Sequence, residues 1–485
     1  MSNSHKTRIA IVGAGIAGLN AALTLQDAGL SCTLYEASNH IGGRMHSDAT
    51  TWGDGMVSEW CGEFIDSDHT TLRALAQRFG LKVVDLHAKT PKNAQNIRYY
   101  FTRFYQDDEL AQDFQKISPL LQQQYHNVGF PTTHTHFTET AYKLDNMSVY
   151  DWIARYVEGG HDTPLGHMLN GGCTGFYGSD THKQSALNLI YMFASRDDED
   201  DEESAISGPL QGNSKIVGGN QRLPQAIAHT LPEGTIQLNS TLTAIKKNSD
   251  NTVMLSLTTS TGSSDITYDS VLLTLPFSTL RHVDYQQAGF DSLKQQAIEQ
   301  LGYGTISKLF LQFDTRYWYQ DGPWPHPFDG FAMTDLPIQV LWDTSLGQAG
   351  ESGLLVDYTG GKYGAAYTPS TDYSTTADSE QVRKYAQSCL EQLEQVFPGI
   401  SKHYTGKAAL SYPTGDPHLL GSYSCWHVGQ YTLFSGYERV RQGPIHFAGE
   451  HCSIEWQGYM EGAAIEGKRA AQEIIEGYKK REDRR

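Results

Sequence analysis

The sequence predicts a mixed fold in which a Rossmann-type α/β domain interleaves with an α+β domain. Three observations predict it. An apolar run with GxGxxG spacing opens the chain, strand-like alternation follows at 235–276, and aromatic-rich strands mixed with helical patterns fill 86–214 and 286–428. The 485 residues correspond to roughly three domain-sized units. No repeat of solenoid spacing is evident.

"RIAIVGAGIAGL" at 8–19 begins as a strand, with Gly13, Gly15 and Gly18 at GxGxxG spacing. A helical pattern then runs to about Ala28, where Gly29 stops it. "SCTLYE" at 31–36 is a second strand ending in Glu36. Strand, helix and acid in register make a dinucleotide-binding start. Gly13 permits the tight turn, Gly15 lets backbone approach a pyrophosphate at the helix N-terminus, and Gly18 lets helix and strand pack closely. Glu36 would accept hydrogen bonds from a ribose diol. Gly42 and Gly43 in "HIGGRMHS" suggest a second backbone approach, with the Arg44 guanidinium for phosphate.

"TIQLNSTLTAI" at 235–245, "VMLSLTT" at 253–259 and "SVLLTLP" at 270–276 alternate like strands of one antiparallel meander. "ISKLFLQF" at 306–313 reads as a strand that sets Lys308 between Ile306 and Phe310 on one face. The plain reading is a half-exposed strand whose lysine snorkels to water. At 378–397, Val382, Tyr385, Ala386, Cys389, Leu390, Leu393 and Val396 form one face of an amphipathic helix, which Pro398-Gly399 ends.

A net charge of −18 argues against a general nucleic-acid or anionic-membrane binder. The acidic run "RDDEDDEES" at 196–204 reads as a solvated loop. Six cysteines without a CxxC pair make no disulfide framework, and reduced thiols in the cytoplasm fit them. The N-terminus lacks an apolar signal core, and no apolar run of spanning length appears. His446 and His451 lack an acid or cysteine set that would complete a metal site.

The GxGxxG start, Glu36, "GGR", and "HFAGEHCSIEWQGYMEGAA" at 446–464 together resemble the flavin amine oxidase superfamily, nearest to bacterial L-amino-acid oxidases, with the amine and polyamine oxidases close. The likeness covers nearly the whole chain. It implies an FAD-binding domain made of 1–85, 215–285 and 429–485, and a substrate domain made of 86–214 and 286–428. It places Gly62, Glu63, Phe64, Leu242, Thr274, Trp426, Gly449, Glu450, Gly458, Tyr459 and Met460 against FAD. Lys308 matches the family lysine that reaches the reactive flavin nitrogen through a water. A buried lysine tends to lose its proton. Tyr423 and Tyr459 match the aromatic pair that flanks the amine, and Trp426 and Trp456 would line the same pocket. Ser422 stands where some members carry a flavin-linking cysteine, so non-covalent FAD is expected.

The implied reaction is hydride transfer from an amine to flavin, with dioxygen as acceptor and hydrogen peroxide, ammonia and a carbonyl compound as products. The expected substrate is an L-amino acid, with amines as the alternative. The amino-acid branch clamps the carboxylate with an arginine where this chain has Phe64, which leaves Arg222 by elimination. Asp66 and Asp68 could attract a second ammonium, or cap the helix starting near Thr70. The expected partners are this small molecule, dioxygen and a second copy of the chain. A non-catalytic binder of the same fold, like the GDP-dissociation inhibitors, is disfavoured by Glu36, Arg44, Lys308 and the tyrosine pair.

Overall fold

The computed structural model describes residues 8–194 and 213–482. The acidic run at 196–204 lies outside the described residues. Among those residues, no helix is long and apolar enough to cross a membrane.

Short runs with no polar face build a five-stranded parallel sheet. Its order is Ile445–Phe447, Ser270–Leu273, Ile9–Val12, Thr33–Tyr35, Ile236–Gln237. The first three of these strands are buried throughout, as a parallel sheet covered on both faces requires. The helix Ile16–Asp27 packs against the long C-terminal helix Met460–Glu482. Gly467 permits their contact, since a Cβ there would stand 2.1 Å from the Ala17 carbonyl oxygen.

The expected meander is rearranged. The stretch 235–245 is two strands: Ile236–Gln237 joins the parallel sheet, and only Thr241–Lys247 enters the meander. Asn239 breaks them apart with φ of 54°, the left-handed region that asparagine tolerates. Ser270–Leu273 likewise lies in the parallel sheet. The four-stranded meander sheet is completed by Gly262–Tyr268 and Asp284–Gln287.

The second large sheet has eight strands, ordered Tyr373–Thr375, Tyr404–Ser411, Ser307–Phe313, Gly353–Thr359, Val340–Asp343, Phe328–Thr334, Gln95–Tyr100, Arg103–Phe104. Ser307–Phe313 is paired on both edges and buried along its whole length. Leu309, Leu311 and Phe313 share a core with Val382, Ala386, Leu390 and Leu393 of the helix Glu380–Val396. The other face carries Lys308, Phe310 and Gln312. Lys308 is 2% exposed, so it does not snorkel.

Candidate active site

The carboxyl ends of the parallel strands open into one cavity of about 900 Å³. Gly13 follows Ile9–Val12, Glu36 follows Thr33–Tyr35, Thr274 follows Ser270–Leu273 and Gly449 follows Ile445–Phe447, and all four line it. That is where an open α/β sheet receives a ligand. The lining backbone is bare where a phosphate must come close. Gly13 has φ of +107°, and a Cβ on it would meet Thr274 Oγ1 at 2.6 Å. Gly15 caps the first helix and bridges to Gly42, whose neighbour Gly43 has φ of +55°. The Glu36 carboxylate accepts the Ala14 and Ser38 N–H groups at 2.8 and 2.9 Å, which fixes its oxygens at the cavity. Leu242 lines the same space. A helix N-terminus, bare glycines and an anchored acid fit the pyrophosphate and ribose of FAD.

Half-buried Arg44 and buried Glu450 form one ion pair. The Arg44 guanidinium donates to Glu450 at 2.8 Å and to the Ser422 carbonyl at 3.0 Å. Glu450 also accepts from the Ser424 hydroxyl and the Gly458 N–H at 2.6 and 2.8 Å. Burial pushes Glu450 up, but Arg44 and these donors hold its carboxyl below the usual range. Gly449 keeps a φ of +133° to admit the His451 ring, and a Cβ on Gly62 would meet Met460 sulfur at 2.7 Å. Gly62, Met460 and Gly458 all line the cavity.

Lys308 donates to the Glu59 and Cys61 carbonyls at 3.0 and 3.1 Å and to Glu63 at 2.6 Å. The other Glu63 oxygen takes Lys215 and the Thr344 hydroxyl. Burial pushes Glu63 up, but the two ammoniums overcome it and hold the carboxyl at about 2. Lys308 is thus tied to one carboxylate and two backbone carbonyls. Aromatic rings cover this group. Phe64 packs on Trp342 at 5.4 Å and Trp342 on Tyr358 at 4.7 Å, while Lys308 lies 5.3 Å from the Trp342 ring. Tyr358 in turn shares a 2.8 Å hydrogen bond with Tyr423, whose hydroxyl donates to the Phe176 carbonyl at 2.6 Å. Trp426 and Tyr459 line the same cavity as Tyr423.

Three expected residues fall outside the lining. Arg222 is exposed, and its guanidinium donates to the Val217 carbonyl at 2.6 Å, so it offers no clamp inside the cavity. Trp456 packs edge-on against His69 at 4.8 Å and against Tyr459 at 5.9 Å. Gly18 is a packing glycine, since its Cβ would lie 1.9 Å from the Gly13 carbonyl oxygen. Neither Asp66 nor Asp68 caps the next helix with its side chain. Glu461 does so, accepting the Thr71 and Leu72 N–H groups at 2.8 Å each. Asp66 lines the cavity, and burial with nearby Asp68 pushes its carboxyl up to about 6.

The sequence reading missed Lys215, Thr344, Trp342 and Tyr358. Lys215 opens "KIVGGNQRLP" at 215–224, where no local pattern marks the lysine as buried. The other three reach the site only through the register of the eight-stranded sheet, which sets Tyr358 opposite Lys308.

A nucleotide cradle at the ends of a parallel sheet, closed by an aromatic cavity with a buried lysine, defines a flavin-dependent oxidoreductase. The chain belongs to the flavin-containing amine oxidoreductase family, whose sequence profile matches residues 16–475, and FAD is its cofactor. It is 26% identical to the L-amino-acid oxidase of Mus musculus over 98% of this chain and 72% of that one. Its fold resembles cyclohexylamine oxidase from Brevibacterium oxydans IH-35A, with TM-score 0.81 and 20% identity over 98% of this chain and all of the other. A putrescine oxidase bound to putrescine gives TM-score 0.79 and 21% identity over 97% and 99% of the two chains.

Proposed function

We propose that the protein oxidises primary amines lacking an α-carboxylate, releasing ammonia, an aldehyde or ketone, and hydrogen peroxide. One observation carries this reading. Among the described residues, the arginine and lysine side chains lining the cavity are Arg44 and Lys308, and each is already paired with a buried carboxylate. Neither is available to clamp a substrate carboxylate. Phe64 fills the position where the amino-acid branch of the family carries its arginine.

Bound FAD, non-covalent beside Ser422, supplies the two-electron acceptor that dioxygen restores. The chain supplies the setting. Tyr423, fixed by Phe176 and Tyr358, and Tyr459 make the walls of a slot for the amine. Phe176, Phe331 and Met333 line the space around it and exclude water. Asp66 presents a carboxylate to the cavity, which suits a diamine with a second ammonium.

L-Amino acids are the second reading, supported by the names of the full-length relatives. Peroxide release from matched pairs tests both: phenethylamine against L-phenylalanine, and cadaverine against L-lysine. Amine turnover alone supports the proposal. Amino-acid turnover alone overturns it.

A further inference from the structure

His69 joins the acid of the cavity to one wall of the amine slot. It precedes the helix Thr70–Arg78, and its side chain is wholly buried. The ring Nδ1 accepts the Asp66 backbone N–H at 3.0 Å. That bond leaves the proton of the neutral imidazole on Nε2. Nε2 in turn lies 3.5 Å from Asp66 Oδ2. The ring packs edge-on against Tyr459 at 5.4 Å and Trp456 at 4.8 Å, which fixes its plane. Asp66 keeps 29% of its side chain exposed, so the carboxylate has room to turn where the ring has none. Asp66, Asp68 and His69 bring ligand atoms within 4.8 Å of one another, but this tautomer gives Nε2 no lone pair for a cation.

We propose that His69 is a positioning residue whose Nε2–H holds the Asp66 carboxylate in place for the second ammonium of a diamine. The inference rests on the reading that Asp66 meets such an ammonium. A hydrogen bond to the charged form of a carboxylate favours that form. It also replaces a turning acceptor with a fixed one, so less freedom is lost when the diamine binds. A neutral ring does this without competing with the substrate's charge. Burial holds the imidazole down to about 4, so near neutral pH it carries no charge. The charged groups acting on Asp66 are Asp68, in the same loop, and Arg73, one turn into the helix. Burial and then Asp68 push its carboxyl up to about 6, and Arg73 opposes them. The Arg73 guanidinium donates to the Asp66 carbonyl and the Ser214 hydroxyl at 2.8 Å each. Glu461, from the C-terminal helix, is taken up by the Thr71 and Leu72 N–H groups. The His69 N–H is thus the neutral donor placed to steer this acid.

The test compares kcat/KM for cadaverine with that for pentylamine from about pH 5 to 9 in wild type, Asp66→Asn, His69→Phe and His69→Gln. His69→Phe keeps the ring packing and removes the N–H, and His69→Gln restores a donor. Wild type should prefer cadaverine, with the preference falling as pH drops through about 6. In His69→Phe that step should move up by ~0.5–1 pH unit, and the preference above the step should fall ~3- to 10-fold. His69→Gln should return the step toward its wild-type position. A loss of packing alone would lower both substrates together and leave the step where it was. If Asp66→Asn keeps the wild-type preference, the reading of Asp66 fails and the inference falls with it. If Asp66→Asn loses the preference while His69→Phe keeps both preference and step, that reading stands and the present inference is overturned. Should His69→Phe not hold FAD, His69→Met, equally without an N–H, is read in its place.

Discussion

Asp66 is a carboxylate that faces the cavity beside the aromatic slot. The His69 ring, 3.5 Å away, is held down to about 4 by burial and stays neutral, and the nearby Arg73 guanidinium donates to the Asp66 backbone carbonyl. A second ammonium on the substrate would therefore find an unneutralised acid. Asp66→Asn should lower kcat/KM for cadaverine relative to pentylamine by about 10-fold. In wild type, the same ratio should fall as pH drops through about 6, where the Asp66 carboxyl takes up its proton, and the variant should show no such step. A ratio unchanged by the substitution would remove Asp66 from substrate selection. At this scale Lys308 was legible only through the family resemblance, because the strand pattern by itself reads as a lysine that snorkels to water. Its partners were not. Glu63, Lys215 and Thr344 lie far apart in the chain, and no local pattern pairs two lysines with one glutamate.

Among the elements, the first turn of the chain carries the most risk. A Cβ on Gly18 would sit 1.9 Å from the Gly13 carbonyl oxygen, which is backbone and has little room to yield. Gly18→Ala should cost about 3 kcal/mol and strip FAD from the purified protein, as read by its visible spectrum and apoprotein melting. A second junction lies where the C-terminal helix meets the helix Thr70–Arg78. Glu461→Ala would uncap that helix and cost about 1–2 kcal/mol in urea unfolding. An unchanged midpoint would contradict the capping role. The GxGxxG start, the amphipathic helix at 378–397 and the strand after 306 were legible because their signals are local, whereas that strand's full burial was not. The break at Asn239 and the cap from Glu461 were not. One is a left-handed residue inside an alternating pattern, and the other joins residues 390 apart in sequence.

For the whole molecule, the deepest charges are carboxylates held by cations. Glu63 lies well below its ordinary value and Glu450 lies below it in direction. A depressed carboxylate contributes stability that is fully present above its unfolded pKa and is lost as pH falls through the folded value. The denaturation midpoint should thus hold near neutrality and fall as pH drops from about 4.5 toward 2, in step with protonation of Glu63. An acid-insensitive midpoint would mean that these ion pairs carry no linkage. The paired cations also bear on the central claim, since each one committed to a buried acid is unavailable to a substrate carboxylate. The most direct test is anaerobic mixing of the flavin-loaded protein with phenethylamine and, separately, L-phenylalanine. Loss of the oxidised flavin's visible absorbance reads hydride transfer apart from any reaction with dioxygen. The amine should bleach the flavin and the amino acid should leave it oxidised; bleaching by L-phenylalanine with none by phenethylamine would contradict the account.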